Sequence, residues 1–454
     1  MVTYKLISNS SKKPLLKFKN GNFNSKYGLL SLYPYEPPNY TNFVVVSLHD
    51  HGVSINHNEI DNFLAVNDKS FPFNTSINNF SDMFNSKLNF AYDACNEIEL
   101  EKIASKYQNS IILIIHGGNG VSSNNGRVTN KTYYLSKINA ISNGSRIQYI
   151  SCDHLKQCNN FIKFNLWTQL IAKCNGTPWI IDNSTLGFID NNDTIIVGIA
   201  FSIVNGTITY GITHFLDIYN MSQEVTVNYI GRPTGRGSLY LKGEELIKIL
   251  KQGTERLSLH KNLKGKPSRD NSKLKLFIYK TTPLHPEEKK AIESIIENPD
   301  ILNYNFIDVT HIHIKSANYG IPRLFDPDNI GTFFQYMTKQ GTSIEISPDS
   351  INVSGFQFRG DLIIGTTGTF VKNNNSGTIG TPRPLFLSVH STIANHFNII
   401  QNQVMALTEM DWEYTGKNYR EPFIIKYARR MSVLLQYLPD KGNFKSNIDI
   451  RDIM

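Results

Sequence analysis

The stretch Thr132–Gly176 reads TYYLSKINAISNGSRIQYISCDHLKQCNNFIKFNLWTQLIAKCNG, and its spacing gives helix, turn, short strand and helix. In the first helix Tyr134, Ile138 and Ile141 recur at i, i+4 and i+7, which makes one buried face. Asn143-Gly144 stops it, because that pair tolerates the left-handed backbone a helix end needs. Tyr133 and Lys137, four apart, stack over each other on a neighbouring face. Gln148 lies in the β-like run Arg146-Ile147-Gln148-Tyr149-Ile150. The second helix buries Ile162, Leu166, Leu170, Ile171 and Cys174, with Gln169 and Lys173 at the edge of that stripe. Two cations, two amides and a phenol therefore come within reach of one small anion.

A lone Tyr-x3-Lys pair is ordinarily a solvated helix face. The series is more telling: Tyr-x3-Lys, then Gln148, then Gln-x3-Lys, closing on Gly176-Thr-Pro-Trp179. It resembles the 5′-phosphate pocket of the MID domain in prokaryotic Argonaute proteins. The resemblance implies that Tyr133, Lys137, Gln148 and Lys173 bind the guide's terminal phosphate, and that Tyr133 also stacks on the first base. It implies further that Gln169 and the terminal carboxylate of Met454 hold a divalent cation, Mg²⁺ or Mn²⁺, at that phosphate.

Outside this stretch the chain reads as α/β. With 454 residues it is long enough for about three domains of ~150 residues. An apolar fraction of 40% supports a globular protein and argues against disorder. The net charge of +8 and pI near 9.0 favour a polyanionic partner without identifying one. Cys95, Cys152, Cys158 and Cys174 show no zinc spacing, so free thiols in a cytoplasmic protein are expected. Met1-Val-Thr-Tyr-Lys lacks a signal-peptide core, and the apolar run Ile195–Val204 is too short to span a bilayer.

Residues 1–40 read as a leader, with strands near Tyr4–Ile7 and Leu15–Phe18 around a polar turn and a proline-broken linker at Tyr33–Pro38. Strands follow at Phe43–Leu48 and Ile111–Ile115, with helices at Glu59–Val66 and Ile98–Tyr107, an alternation that gives a parallel, doubly wound sheet. The loop His116–Gly126 lacks the spacing of a nucleotide fingerprint and reads as a flexible loop near the guide end. His49-Asp50-His51 and His311-Ile312-His313 could each point two imidazoles one way from a strand. Without a matching carboxylate pattern they read as ordinary histidines.

Past Gly176 come a strand at Thr177–Ile181 and strands at Thr194–Ile203, Gly206–Thr213 and Val225–Ile230. A helix at Glu244–Lys251, a strand at Leu274–Tyr279 and a helix opened by Pro286 follow. This order suits an RNase H-like fold. Ile196–Ser202, Pro322-Arg-Leu-Phe325, Gly380-Thr-Pro-Arg-Pro-Leu385 and Leu407-Thr-Glu-Met-Asp-Trp412 resemble, in order, segments of Argonaute PIWI domains. The expected fold class is α/β, with a Rossmann-like MID domain over 41–176 and an RNase H-like PIWI domain over 177–454. No PAZ domain fits in what is left, so the resemblance is to a short prokaryotic Argonaute.

The departures bear on activity. RNase H-like cleavage needs clustered carboxylates holding two metal ions. By the resemblance, Ala200, Lys280 and Arg429 stand where those acids are expected, and none coordinates Mg²⁺ as a carboxylate does. A nuclease-inactive PIWI domain is expected, with Lys280 and Arg429 either attracting duplex phosphates or remaining unpaired surface charges. The family further implies an RNA guide, a complementary DNA target and a separate effector protein in prokaryotic immunity. The other readings are an active nuclease using acids such as Asp217 or Asp361, and a nucleotide- or phosphate-binding enzyme.

Overall fold

The computed structural model describes residues 2–7, 14–54, 57–65, 77, 79–117, 128–157, 160–181, 193–204, 207–215, 223–226, 239–263, 273–302, 305–315, 341–348, 358–366, 384–392, 397–413, 421–438 and 447–454. The chain divides into two compact units. The smaller comprises Leu15–Ile180, Trp412–Thr415 and Tyr437–Met454; the larger comprises Met1–Pro14, Ile181–Asp411 and Gly416–Gln436.

The smaller unit is built on four parallel strands, β1 (Asn42–Leu48), β2 (Asn89–Cys95), β3 (Ile111–His116) and β4 (Arg146–Ser151), in the order β2-β1-β3-β4. A parallel sheet is covered on both faces, which is why β1 and β3 are near-continuous apolar runs. On one face Val44, Val46, Ile112 and Ile114 pack with Leu100, Ile103 and Ala104. Elsewhere in the unit, the Phe43 ring meets Phe80 and Phe84, and Phe80 meets Trp167. The sequence reading missed β2. It is the end strand of the sheet and mostly exposed, so it carries no apolar run.

Two helices frame the pocket stretch, α1 (Asn130–Ser142) and α2 (Asn160–Lys173). The Thr129 hydroxyl caps α1 by accepting from Thr132 N. The expected stop at Asn143-Gly144 is present: Gly144 has φ +69°, where side chains are strained. Helix α2 ends on Asn175, also left-handed at φ 62°, and Gly176 N donates to Ile171 O.

The leader is not a hairpin. Val2–Ile7 pairs antiparallel with Ser343–Pro348 of the larger unit, whereas Leu16–Phe18 pairs with Gly21–Phe23 across a tight turn. An edge strand offers unpaired ladder groups, and Val2–Ile7 takes those of its partner. The proline-rich stretch is also bound, since Glu36 bridges to Thr177 and Thr177 Oγ1 donates to Glu36 Oε2 at 2.6 Å.

The larger unit holds β5 (Asp193–Val204), β6 (Thr207–Phe215), β7 (Gln223–Thr226), α3 (Gly243–Leu263), β8 (Lys273–Lys280), α4 (Pro286–Glu297), β9 (Asn305–Lys315), β10 (Ser343–Pro348), β11 (Phe358–Ile364), β12 (Leu385–Ser391), α5 (Phe397–Glu409) and α6 (Phe423–Leu434). Its strands run Val2–Ile7, β10, β11, β12, β9, β8, β5, β6, β7 across the sheet. Strands β5 and β6 are antiparallel, and β8 runs parallel to both β5 and β9. The motifs at Pro322–Phe325 and at Gly380–Arg383 lie outside the described residues, as do the Asn205-Gly206 turn and Asp217.

One face of this sheet packs Val197, Ile199 and Ile278 against Ile249, Ile292 and Ile295. On the other face α6 approaches the β5–β6 pair closely. A Cβ on Gly198 would lie 2.7 Å from Ile424 O, and one on Gly211 would collide with the Ala428 carbonyl oxygen. Gly211→Ala should therefore cost about 1–3 kcal/mol in urea unfolding, the usual penalty for forcing extra volume into a packed core. Gly243→Ala, where the added carbon meets nothing nearer than 3.4 Å, should stay within about 0.5 kcal/mol of the parent.

Candidate functional site

Lysines 137 and 173 converge on one oxygen. Lys137 Nζ, from α1, donates to the main-chain oxygen of Met454 at 2.7 Å and to Ile453 O at 3.3 Å. Lys173 Nζ, from the last turn of α2, donates to the same Met454 oxygen at 2.5 Å. The two lysines are only 4% and 0% exposed, so both charges sit out of water. Met454 follows the short helix α7 (Ile450–Ile453), whose Asp449 and Asp452 form a capping box.

The rest of the predicted set is placed as follows. Lys137 Nζ lies 4.7 Å from the centre of the Tyr133 ring, the stack that i, i+4 spacing demands. Tyr133 also meets Tyr149 at 4.9 Å, and Tyr149 shares a hydrogen bond with Ser136. Gln148 is buried on β4 and donates its amide to Tyr149 O at 3.1 Å. Gln169 donates its Nε2 to Glu413 O at 2.8 Å. The structure thus brings together Tyr133, Lys137, Lys173 and Met454, while the two glutamine amides make these bonds to main-chain oxygens elsewhere.

Sequence reasoning missed Arg146. Its guanidinium donates from Nε to Asp452 Oδ1 at 2.6 Å, and from Nη1 to Lys173 O and Asn175 Oδ1, both at 2.5 Å. Lys163, also missed, is buried and donates to Asn62 O and Ala65 O. Nothing in periodicity marks either one, because each donates to oxygens of other segments of the chain.

The electrostatics follow from this packing. Burial holds the Lys173 ammonium well below the usual lysine range, and Lys137 and then Arg146 add like-charge repulsion. Glu413 and Asp452 oppose the shift. Lys173 Nζ has three donors, and among the described residues only Met454 O takes one. The arrangement can take an anion with several acceptor oxygens. Of the residues expected to hold a divalent ion, Met454 accepts from both ammonium groups through one oxygen and Gln169 donates its amide nitrogen to Glu413 O. Among the described residues no group of three or more His, Cys, Asp or Glu side chains could hold a metal ion.

The two histidine groupings sit in different settings. His49–His51 forms a turn after β1, where His51 Nε2 pairs with Glu97 at 3.0 Å. On β9 and β12, His311 is buried and burial holds His313 and His390 each at about 4. Cys95, Cys152 and Cys174 are free thiols, and Cys158 lies outside the described residues.

In the larger unit Ala200 is fully buried opposite Gly211, under α6. Lys280 and Arg429 are both paired with carboxylates, so neither is an unpaired surface charge. Lys280 is 1% exposed and forms an ion pair with Glu288, both carboxylate oxygens lying at 2.5 Å. Arg429 pairs with Glu421 at 2.5 Å. Burial forces the Lys280 charge to find a counter-ion inside the fold, whereas the Arg429 pair lies at an exposed position. Asp361 accepts from Ser388 and lies 3.7 Å from Lys315.

No protein-family model matches the sequence, and no curated protein does. The fold nonetheless has a clear likeness: it is Argonaute-like. The chain is similar over 99% of its length to Clostridium butyricum Argonaute, in a structure bound to a guide DNA with a 5′ deoxycytidine and a 19-mer target DNA, with a TM-score of 0.64 and 14% identity. It spans 55% of that protein's chain. Among the described residues no helix is long and apolar enough to cross a membrane.

The Lys280–Glu288 pair predicts a stability signature. Lys280→Ala leaves Glu288 buried without its counter-charge and should cost roughly 3–5 kcal/mol in urea unfolding. Adding Glu288→Leu to Lys280→Met should recover only part of that loss, because Glu288 also accepts from Leu241 N and His285 N.

Proposed function

We propose that this chain is a guide-directed nucleic-acid-binding protein of the short Argonaute kind. In this reading a MID domain over 41–176 holds the 5′-phosphate of an RNA guide, and a PIWI domain over 177–454 accommodates its duplex with target DNA. The observation that carries the proposal is the convergence of two buried ammonium groups, from α1 and α2, on one main-chain oxygen. Two buried cations side by side suit an anion that brings its own acceptors, and a terminal phosphate supplies three oxygens and nearly two charges. Tyr133 supplies a ring for the first base, worth ~1–3 kcal/mol of stacking. Selection of the target is then left to base pairing.

The parallel order of the smaller sheet supports the Rossmann-like reading, and the order β7-β6-β5-β8-β9 supports the RNase H-like one. Ala200, Lys280 and Arg429 offer no carboxylate; Lys280 is held in a buried ion pair and Arg429 in an exposed one. The domain is therefore read as a non-hydrolysing one that signals target recognition to a separate effector protein in defence against viruses or plasmids. Incubation with a 5′-phosphorylated guide, a complementary target and Mn²⁺ should yield no cleaved target; a guide-dependent product would overturn this part. Affinity for the guide should survive chelation of divalent ions by EDTA, since the phosphate's charge is offset by lysines.

The lysines give a sharper test. Replacing Lys137 and Lys173 together by Ala should weaken a 5′-phosphorylated guide by about 10- to 100-fold, the loss expected for charge-assisted hydrogen bonds, and barely change a 5′-hydroxyl guide. Equal losses for both guides would refute the pocket. A pH dependence follows. Lys173 has a depressed pKa in the folded chain, so its charge is complete at low pH and is lost as pH rises. The phosphate is already a dianion above its second pKa near 6. The preference for phosphate over hydroxyl should thus decline as pH rises through the depressed Lys173 pKa, with net proton uptake on binding measurable by calorimetry in buffers of different ionisation enthalpy.

A further inference from the structure

We infer that Arg146 is a positioning residue of this pocket, which through Asp452 fixes the spacing of the Lys137 and Lys173 ammonium groups for a terminal phosphate. The inference rests on the phosphate reading above and adds to it a residue that touches neither guide nor phosphate.

The argument begins with what holds the two lysines. Both donate to Met454 O, so the position of that oxygen sets where their charges lie. Met454 is carried by α7, only four residues long, which cannot hold its own place by helix propensity. Asp452 Oδ2 accepts from Asp449 N at 3.1 Å and closes the capping box of α7. The other oxygen, Oδ1, accepts from Arg146 Nε. The same guanidinium donates to Lys173 O and Asn175 Oδ1 at the end of α2. Its carbon lies 5.7 Å from the centre of the Tyr40 ring, whose own main-chain N donates to Cys174 O. One planar fork therefore joins α7, which brings the oxygen, to α2, which brings one ammonium.

Charge supports the same assignment. Arg146 adds a third cation beside Lys137 and Lys173, and it repels Lys173. Asp452 offsets that repulsion, so the pair lets three cations share a buried site. The planar guanidinium reaches three acceptors in fixed directions, which a lysine ammonium on a flexible stem does not reproduce.

The test uses the full chain with 5′-phosphorylated and 5′-hydroxyl forms of one fluorescent guide. The measured quantity is the ratio of the two Kd values for the wild type, Arg146→Lys, Asp452→Asn and the double variant. Arg146→Lys keeps the charge and removes the fork; Asp452→Asn keeps the shape and removes the charge. Each should reduce the phosphate preference by about tenfold, the loss typical of removing a group that orients a ligand-binding side chain, with the 5′-hydroxyl Kd within about twofold. The double variant should lose little more than either single one, because both break the same link. Variants that keep the wild-type ratio, or that weaken both guides equally, would overturn the inference. If Arg146→Lys does not fold, Asp452→Asn alone decides, by the same ratio. A wild type with no preference for phosphate would instead overturn the underlying phosphate reading.

Discussion

Two ammonium groups sharing one oxygen out of reach of water is the constraint around which the smaller unit is arranged. A buried charge is costly unless it is paired or hydrogen-bonded. Lys137 and Lys173 both donate to the chain end, Lys137 to Ile453 O and Met454 O and Lys173 to Met454 O. Several otherwise separate details then share a cause. Asp452 balances Arg146, Gln169 ties down Glu413 through its carbonyl, and Glu413 and Asp452 both favour the charged form of Lys173. The site is compact because five segments must meet to keep its charges balanced.

The larger unit treats the same residue type in another way. Lys280 is as buried as the pocket lysines, but Glu288 gives it both carboxylate oxygens. Glu288 also accepts from Leu241 N and His285 N, so its acceptors are saturated by the end of β8, the start of α4 and the turn before α3. A lysine enclosed in that way has an internal partner for its charge and serves the fold. Lys173 donates to Met454 O and has no such bidentate side-chain partner among the described residues; Glu413 and Asp452 favour its charge from further off. The contrast lies in the acceptor each lysine is given, not in its depth of burial.

Much of this was legible beforehand, for physical reasons that can be named. Strands β1 and β3 announce themselves because a parallel sheet buries both faces. The end of α1 follows from Asn143-Gly144, a pair that tolerates the left-handed backbone a helix end needs. Tyr133 and Lys137 meet because helical spacing makes them meet. Strand β2 was hidden because an exposed edge strand needs no apolar pattern. The fate of Val2–Ile7 was hidden because its partner, Ser343–Pro348, lies more than 300 residues away and no local signal selects it. Lys280 looked like a surface or substrate-facing charge because a sequence does not reveal a counter-ion eight positions on, across a turn.

Arg146 is the instructive omission. It opens β4, where an arginine at a strand end is ordinarily a solvated charge, and its three acceptors come from Lys173, Asn175 and Asp452. Two of these belong to the end of α2, and the third lies about 300 positions along the chain. Only the left-handed Asn175 hints at the link, because a residue that ends a helix in that conformation turns its side chain out of the helical stack. The lysines of such a pocket can be found by spacing, since helix geometry fixes them relative to their neighbours. The groups that hold those helices in register answer to no period, and must be found by asking of each buried charge which segments its hydrogen bonds join.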